Sequence, residues 1–402
     1  MQINNLKALM NFPGYVTGKI DCTAGEVQVT LRRDGRRALR CPDCGHTMAL
    51  NRSDLARAQD LPWVTARRVW LEYERVQGRC SRCGRHHTLR PPGVDERRRA
   101  TTRLMHWVCA LCRHLPLREV RAFCGISAAT AYRWDKEVLR RVLPEPCLEG
   151  IEVLLIDEKA VRKGHGYVTL VMNGQTGELL HLAEGKKKSS LESFFEKLTP
   201  AQMLSIKAVG LDRAGAYKSV VEERLPFAQI VYDKFHLVAN LHAVLDEVRR
   251  ESWRRASKEQ KDFIKGQRYN LYRNKENLQP HQAADLARLL EANADLNAAY
   301  VLKDAFKQLW TYTYPKSAAN YLEKWCGWAQ ETGITALTHF AKGLRKAKEH
   351  IIAFCRHPIT TARLESFNAA VSRVIFKSCG LRSLDYLFLK LRQISCPDVL
   401  RY

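Results

Sequence analysis

The sequence predicts an α+β multidomain chain: a small β module with cysteine knuckles and a helix pair, then an α/β domain interrupted by a helical block. Three observations carry this. Two Cys-x-x-Cys-Gly knuckles, Cys41-Pro-Asp-Cys44-Gly and Cys80-Ser-Arg-Cys83-Gly, bracket a stretch of strand-like alternation. From Glu152, short apolar runs are separated first by glycine turns and then by helical spacing. Over a hundred residues of helical character then precede Glu365, too many for a loop.

Size and charge set the frame. A chain of 402 residues can fill more than one core, so two or three domains are expected. Lys and Arg number 66 against 42 Asp and Glu, a formal charge of +24. Such an excess favours a polyanionic partner, nucleic acid first. Arginines bunch at Arg32, Arg33, Arg36, Arg37 and Arg40, and again at Arg97, Arg98, Arg99 and Arg103. No apolar run is long enough to span a bilayer, and Met-Gln-Ile-Asn-Asn-Leu-Lys lacks the build of a secretory signal. The 13 cysteines are therefore read as reduced thiols and metal ligands of an intracellular protein.

Residues 1–95 are expected to form a zinc ribbon. Each knuckle needs a tight turn to point both sulfurs inward, which the glycine after its second cysteine permits. Four thiolates, from Cys41, Cys44, Cys80 and Cys83, then close a tetrahedral structural Zn²⁺ site. Between them, 68–76 alternates like a strand leading into the second knuckle. His46, His86 and His87 lie near in sequence, but four cysteines already complete the site. Cys109 and Cys112 form a third pair without glycine, on a helical pattern, and are assigned to core packing.

Residues 96–150 are expected to hold a helix-turn-helix. One helix begins after Pro116, Gly125 breaks it, and Ser127 caps the next. Thr130, Arg133 and Lys136 then fall on the candidate DNA-reading helix. A plain helical hairpin would give the same rhythm; the basic charge favours DNA. Pro144-Glu-Pro146 marks the linker to the next domain.

Residues 151–402 are expected to form the α/β domain, with its helical insertion at about 240–355. Strands are predicted at 152–157, 166–173 and 178–183, joined by short glycine turns into an antiparallel meander. A helix at 190–198, a strand at 206–212, a helix at 215–224 and a strand at 228–233 follow, and another helix opens near Phe235. This is the element order of the ribonuclease H-like fold, in which the first and fourth strands lie side by side and parallel. Asp157 and Asp212 would then close neighbouring strands at one sheet edge. Two carboxylates held so close call for a cation between them, and Mg²⁺ ions would also serve phosphodiester chemistry. Glu365, on a later helix, completes the ligand set. In the insertion, Trp310, Trp325 and Trp328 could stack on DNA bases, although aromatics at helical spacing are usually core.

Several stretches resemble insertion-sequence transposases of the DDE class, specifically the ISL-three family. They are Cys-Pro-Asp-Cys-Gly at 41–45, Ile-Asp-Glu at 156–158, Lys-Gly-His-Gly-Tyr-Val-Thr at 163–169, Leu-Asp at 211–212 with Ala216-Tyr217, Asp-Lys-Phe-His at 233–236, and Leu-Glu-Ser-Phe-Asn at 364–368. Ser366 stands where the family's Glu-Gly-x-Asn element has glycine. The resemblance implies a catalytic triad of Asp157, Asp212 and Glu365 holding Mg²⁺ or Mn²⁺, with Asp233 and His236 in a supporting motif. It implies a DNA transposase that binds the terminal inverted repeats of its element, then cleaves and transfers strands. The partner is double-stranded DNA, both element ends and target. A homodimer or higher oligomer on DNA is expected, in the bacterial cytoplasm at the nucleoid. Lys163, Lys186 and Lys187 are candidate phosphate contacts. The alternative is a regulator derived from a transposase that binds DNA without cutting it.

Overall fold

The computed structural model describes residues 10–63, 66–162, 166–212, 215–359, 362–378 and 383–396. The chain divides into two compact units, Met1–Pro144 with Arg373–Tyr402, and Glu145–Ser372. Among the described residues no helix is long and apolar enough to cross a membrane.

The first unit opens with β1 (Tyr15–Thr23), β2 (Glu26–Arg33), β3 (Met48–Asp60), β4 (Arg68–Cys80), β5 (His86–Leu89), β6 (Val94–Asp95) and β7 (Ala100–Thr101). They form one sheet in the order β1-β2-β4-β3-β7-β6, with β5 also on β4. Val27, Val29 and Leu31 of β2 alternate inward with Val69, Leu71 and Tyr73 of β4, the period-two pattern of a half-buried sheet. β3 and β4 pair antiparallel from Met48↔Cys80 to Asp60↔Val69, which brings both knuckles to one end of the long hairpin.

Three helices follow: α1 (Thr102–His114), α2 (Leu117–Cys124) and α3 (Ala128–Val142). Cys109 and Cys112 are buried in their shared core with Val120, Trp134 and Val138, and burial pushes both thiols up. This matches the packing role expected of the third cysteine pair.

In the second unit, β8 (Val153–Arg162), β9 (Gly166–Asn173), β10 (Leu179–Glu184), β11 (Ala208–Leu211) and β12 (Gln229–Tyr232) form a sheet ordered β10-β9-β8-β11-β12. β9 pairs antiparallel with both β8 and β10, while β8, β11 and β12 run parallel to one another. The crossovers carry α4 (Lys188–Phe195), α5 (Pro200–Ser205) and α6 (Gly215–Arg224).

One expectation needs correcting: Asp157 does not end its strand. β8 continues to Arg162 because β9 still pairs with it there, and only the parallel pairing with β11 stops at Ile156.

A helical block runs from α7 (Lys234–Arg255) through α8 (Lys258–Gly266), α9 (Arg268–Tyr272), α10 (Pro280–Glu291), α11 (Ala294–Phe306), α12 (Pro315–Glu331) and α13 (Thr335–Lys346) to α14 (Lys348–Ile352). Its core is continuous with that of the sheet, one cluster reaching from Leu154, Ile156, Val209 and Leu211 to Trp325, Leu344 and Ile351. Trp325 is fully buried and its indole nitrogen donates to the Leu302 carbonyl at 2.9 Å, so it is core. Trp310 packs half-buried against the same cluster, and Trp328 is 44% exposed.

The chain ends in α15 (Ala362–Ser378) and α16 (Leu384–Ser395). α16 belongs to the first unit, although the sequence reading gave everything after 151 to the α/β domain. Its reason is polar as well as apolar. The buried Asp135 carboxylate of α3 accepts from Tyr386 at 2.5 Å and from Lys390 at 3.1 Å, and Lys390 also donates to the Cys112 carbonyl at 3.1 Å. A charge buried without such partners would be expensive, so the two helices depend on each other.

Candidate active site and nucleic-acid interface

The register of the second sheet brings three aspartates into one row. Ile156 pairs with Leu211, and Leu211 with Tyr232. The next residue on each chain segment is Asp157, Asp212 and Asp233. Parallel strands without a stagger deliver equivalent positions to the same edge, which is where open α/β sheets collect their functional groups.

A fourth acid comes from far along the chain. α15 buries Leu364, Phe367 and Val371 along one face. Its first turn is held by Arg363, whose guanidinium donates to the carbonyls of Gly174 and Gln175 in the β9–β10 turn. Glu365 and Asn368, three residues apart and so neighbours on the helix surface, then line a cavity of about 350 Å³ together with Asp157, Asp212, Asp233, His236 and Lys159.

The electrostatics of the cavity follow from these contacts. Asn368 donates its side-chain amide to Asp157 Oδ2 at 2.6 Å, and the Glu158 amide donates to Oδ1 at 2.8 Å. Burial pushes the Asp157 carboxyl above its ordinary range, while those two donors oppose the rise. The Oδ1 of Asn368 is buried without a hydrogen-bond partner, an acceptor directed at no protein donor.

Asp233 is buried and caps α7, accepting from the Phe235 amide at 3.0 Å and from His236 Nδ1 at 2.7 Å. That second bond is the main reason the His236 imidazole is raised to about 9. His236 therefore carries a proton at neutral pH and sets its Nε2 3.9 Å from Asp212. In effect Asp233 orients a cation beside the central carboxylate of the row.

The four knuckle sulfurs gather in the first unit. Cys41, Cys44, Cys80 and Cys83 have Sγ atoms all within 4.8 Å of one another, including 3.7 Å for Cys41–Cys83 and 3.5 Å for Cys44–Cys80. Gly45 and Gly84 take the left-handed backbone, at φ 71° and 70°, that turns each knuckle back. The Cys83 amide is the main influence pulling the Cys80 thiol down, toward the thiolate a metal ion takes. This donor set could hold one metal ion. His87 lies near Cys41 and Asp43 rather than completing the cluster of four.

α2 ends at Gly125, whose φ of 62° reverses the chain, and Ser127 caps α3 by accepting from the Thr130 amide at 3.0 Å. Thr130 also shares a hydroxyl bond with Ser127 at 2.9 Å, and Arg133 is exposed beside it. Lys136 is paired with Asp385 of α16 at 2.7 Å.

Comparisons with known proteins decide the family. Residues 154–391 match a family profile described as a transposase, and residues 89–139 match one described as the helix-turn-helix domain of transposase family ISL3. The chain is 34% identical over 393 residues to the transposase for insertion sequence element IS1001 of Bordetella parapertussis, covering 96% of this chain and 97% of that protein. It is 26% identical over 383 residues to the transposase for IS1557 of Mycobacterium tuberculosis, covering 86% of this chain and 83% of the relative. The chain belongs to the ISL3 transposase family.

This transposase thus gathers Asp157, Asp212, Glu365, Asp233 and His236 at one cavity, and the four cysteines at another centre. Lys163 lies outside the described residues. Lys186 sits 4.2 Å over the Tyr167 ring, and Lys187 is exposed at the start of α4. Sequence reasoning gave no role to Asn368 or Lys159. Both carried a signal, since Asn368 is three residues after Glu365 and Lys159 is two after Asp157, on the same strand face.

Proposed function

We propose that this transposase is a DDE-type enzyme that binds the terminal inverted repeats of its insertion sequence and catalyses strand cleavage and strand transfer. The observation that carries the reading is the pairing of Ile156 with Leu211, which sets Asp157 beside Asp212, with Glu365 lining the same cavity. The sheet order β10-β9-β8-β11-β12, three antiparallel strands then two parallel ones, supports a ribonuclease H-like catalytic domain.

The residues present fit divalent cations. All three carboxylates are oxygen donors, and the unpartnered buried Oδ1 of Asn368 adds an acceptor turned away from protein donors. Asp157, Asp212 and Glu365 would hold Mg²⁺ or Mn²⁺, which supplies a lowered pKa at the attacking oxygen and charge stabilisation at the leaving one. Asn368 orients Asp157 and favours its ionised form against the effect of its burial. His236, held by Asp233, offsets the mutual repulsion of the acids and can donate a proton at the cavity rim. Lys159 supplies a positive charge for a substrate phosphate.

The four cysteines act as a structural Zn²⁺ site within a ribbon domain of about residues 1–95, and 96–150 supplies the helix-turn-helix. Thr130 and Arg133 are the residues assigned to DNA, with Lys136 once its pair with Asp385 gives way. Two ends must be brought together, so a dimer or larger assembly on DNA is the working state.

The test uses a duplex carrying the element end, with Mg²⁺ or Mn²⁺. Wild type should nick the end and join it to target DNA; Asp157→Asn, Asp212→Asn and Glu365→Gln should each abolish both while keeping end binding. Cleavage surviving in Asp157→Asn refutes the assignment. End binding by a wild type that never cuts would favour the regulator instead.

A further inference from the structure

The first unit contains a second basic feature that the helix-turn-helix alone does not explain. A groove of about 770 Å³ runs between the β1–β2 turn and start of β4 on one side, and α2 with the α2–α3 turn on the other. Arg67 and Arg68 line it from the sheet, Arg118 and Arg121 from α2, and Glu26 is the acid among the lining residues. Arg118 and Arg121 are three residues apart and share a helix face. Glu26 is paired with Arg68 at 3.0 Å, and Arg118 with Glu119 at 3.2 Å. Among the described residues neither Arg67 nor Arg121 has an acidic partner within ion-pair distance, and both are exposed.

The two walls are fastened together. Arg68 Nε donates to the Gly125 carbonyl at 3.0 Å, and the buried Gln59 amide donates to the Cys124 carbonyl at 2.8 Å. Gly125 itself leaves no room for a side chain, since a Cβ there would lie 2.7 Å from Arg68 Cγ and 3.2 Å from the Arg67 carbonyl. The helix-turn-helix is thus locked to the sheet at its turn, and the arginines across the groove hold a fixed relation to α3.

We propose that this groove takes the sugar-phosphate backbone of duplex DNA next to the base pairs read by α3, so that sheet and helix-turn-helix grip the element end as one body. The inference rests on the DNA-end binding proposed above and adds the sheet side to it. In a helix-turn-helix complex the first helix crosses the backbone while the second enters the major groove, which puts Arg118 and Arg121 of α2 at phosphates. Arg67, on the opposite wall, extends that contact onto the sheet. Guanidinium groups match phosphate oxygens in charge and in fork geometry. Such contacts position the protein without reading sequence.

The test uses the full-length, zinc-loaded protein and two fluorescent duplexes of equal length, one with the element's terminal repeat and one unrelated. Binding is followed by anisotropy from 50 to 300 mM salt for wild type, Arg67→Ala and Arg121→Ala, with melting curves confirming the fold. Each variant should flatten the salt dependence by about 0.9 in log K against log salt, a loss of roughly eightfold at 0.1 M salt. The preference for the repeat over unrelated DNA should stay unchanged, and phosphate-ethylation interference should lose positions flanking the repeat's core. Arg67→Ala with the wild-type slope and footprint overturns the proposal, leaving contact to α2 alone. Arginine substitutions that spare DNA but abolish capture of an acidic peptide overturn it in favour of a protein partner. A wild type that binds neither duplex removes the DNA-end reading itself, and this inference with it.

Discussion

Replacing Asn368 with Ala removes a single hydrogen bond, and the structure says what that bond does. Asn368 donates to Asp157 Oδ2 at 2.6 Å, while burial of the Asp157 carboxyl works against its ionisation. A hydrogen bond to a charged group contributes about 1.5–3 kcal/mol. Divalent cations bind the ionised carboxylate, so at the acid end of the pH range, where Asp157 must first lose its proton, the lost stabilisation appears as weaker metal binding, and 1.36 kcal/mol is a factor of ten. There the Mg²⁺ concentration for half-maximal cleavage should rise by about tenfold to a hundredfold, and the difference from wild type should shrink as pH rises. Its pH profile should also move alkaline, because protonation of Asp157 now competes more strongly with the metal. Asn368→Ser, which keeps a donor, should recover part of the loss. The assay is single-turnover cleavage of the element end across metal concentration and pH. If Asn368→Ala is folded and shows the wild-type metal dependence and pH profile, the positioning role is wrong.

Three further outcomes follow from the same contacts. The protein should carry one Zn²⁺ per chain by chelator release, and Cys80→Ser should lose it together with the protease resistance of the first unit, since structural zinc sites hold their fold together; full zinc content in that variant would contradict the four-sulfur site. Burial, then the charge of Lys197, lowers His181 to about 4, so this imidazole is neutral in the fold but takes a proton in the unfolded chain below about 6.5. Its contribution is full above 6.5 and fades as pH falls through 4, about 3 kcal/mol at most; urea midpoints should drop less steeply between pH 7 and 4.5 in His181→Gln, and parallel curves would count against it. Gly125→Ala should destabilise the first unit by about 1–2 kcal/mol, because φ is 62° and the new Cβ meets Arg68; an unchanged melting temperature would show that the turn adapts.

Much of this organisation was legible because local chemistry leaves local traces. Cysteine spacing with a following glycine announced the knuckles, and Gly125 with Ser127 announced the turn between α2 and α3. β9 and α6 are predictable to the residue, since glycines mark their starts. The strand β3 was not visible, because most of its residues are exposed and its sequence, Met-Ala-Leu-Asn-Arg-Ser-Asp-Leu-Ala-Arg-Ala-Gln-Asp, has no apolar alternation to read. Nor could the sequence show that α16 leaves the α/β domain, since the Asp135–Lys390 pair joins residues 255 positions apart. At the acid row the sequence supplied the residue types and the sheet supplied the register. Asp233 entered the row only because β12 pairs with β11 without a stagger.

Binding of Mn²⁺ to the DNA-free protein, followed by electron paramagnetic resonance, probes the acid row without depending on substrate. Wild type should bind the ion, and Asp157→Asn, Asp212→Asn and Glu365→Gln should each weaken it by at least tenfold while zinc content stays at one per chain. Wild-type affinity in Glu365→Gln or in either aspartate variant would mean that these three side chains do not share a metal, and the proposed chemistry would fall with them.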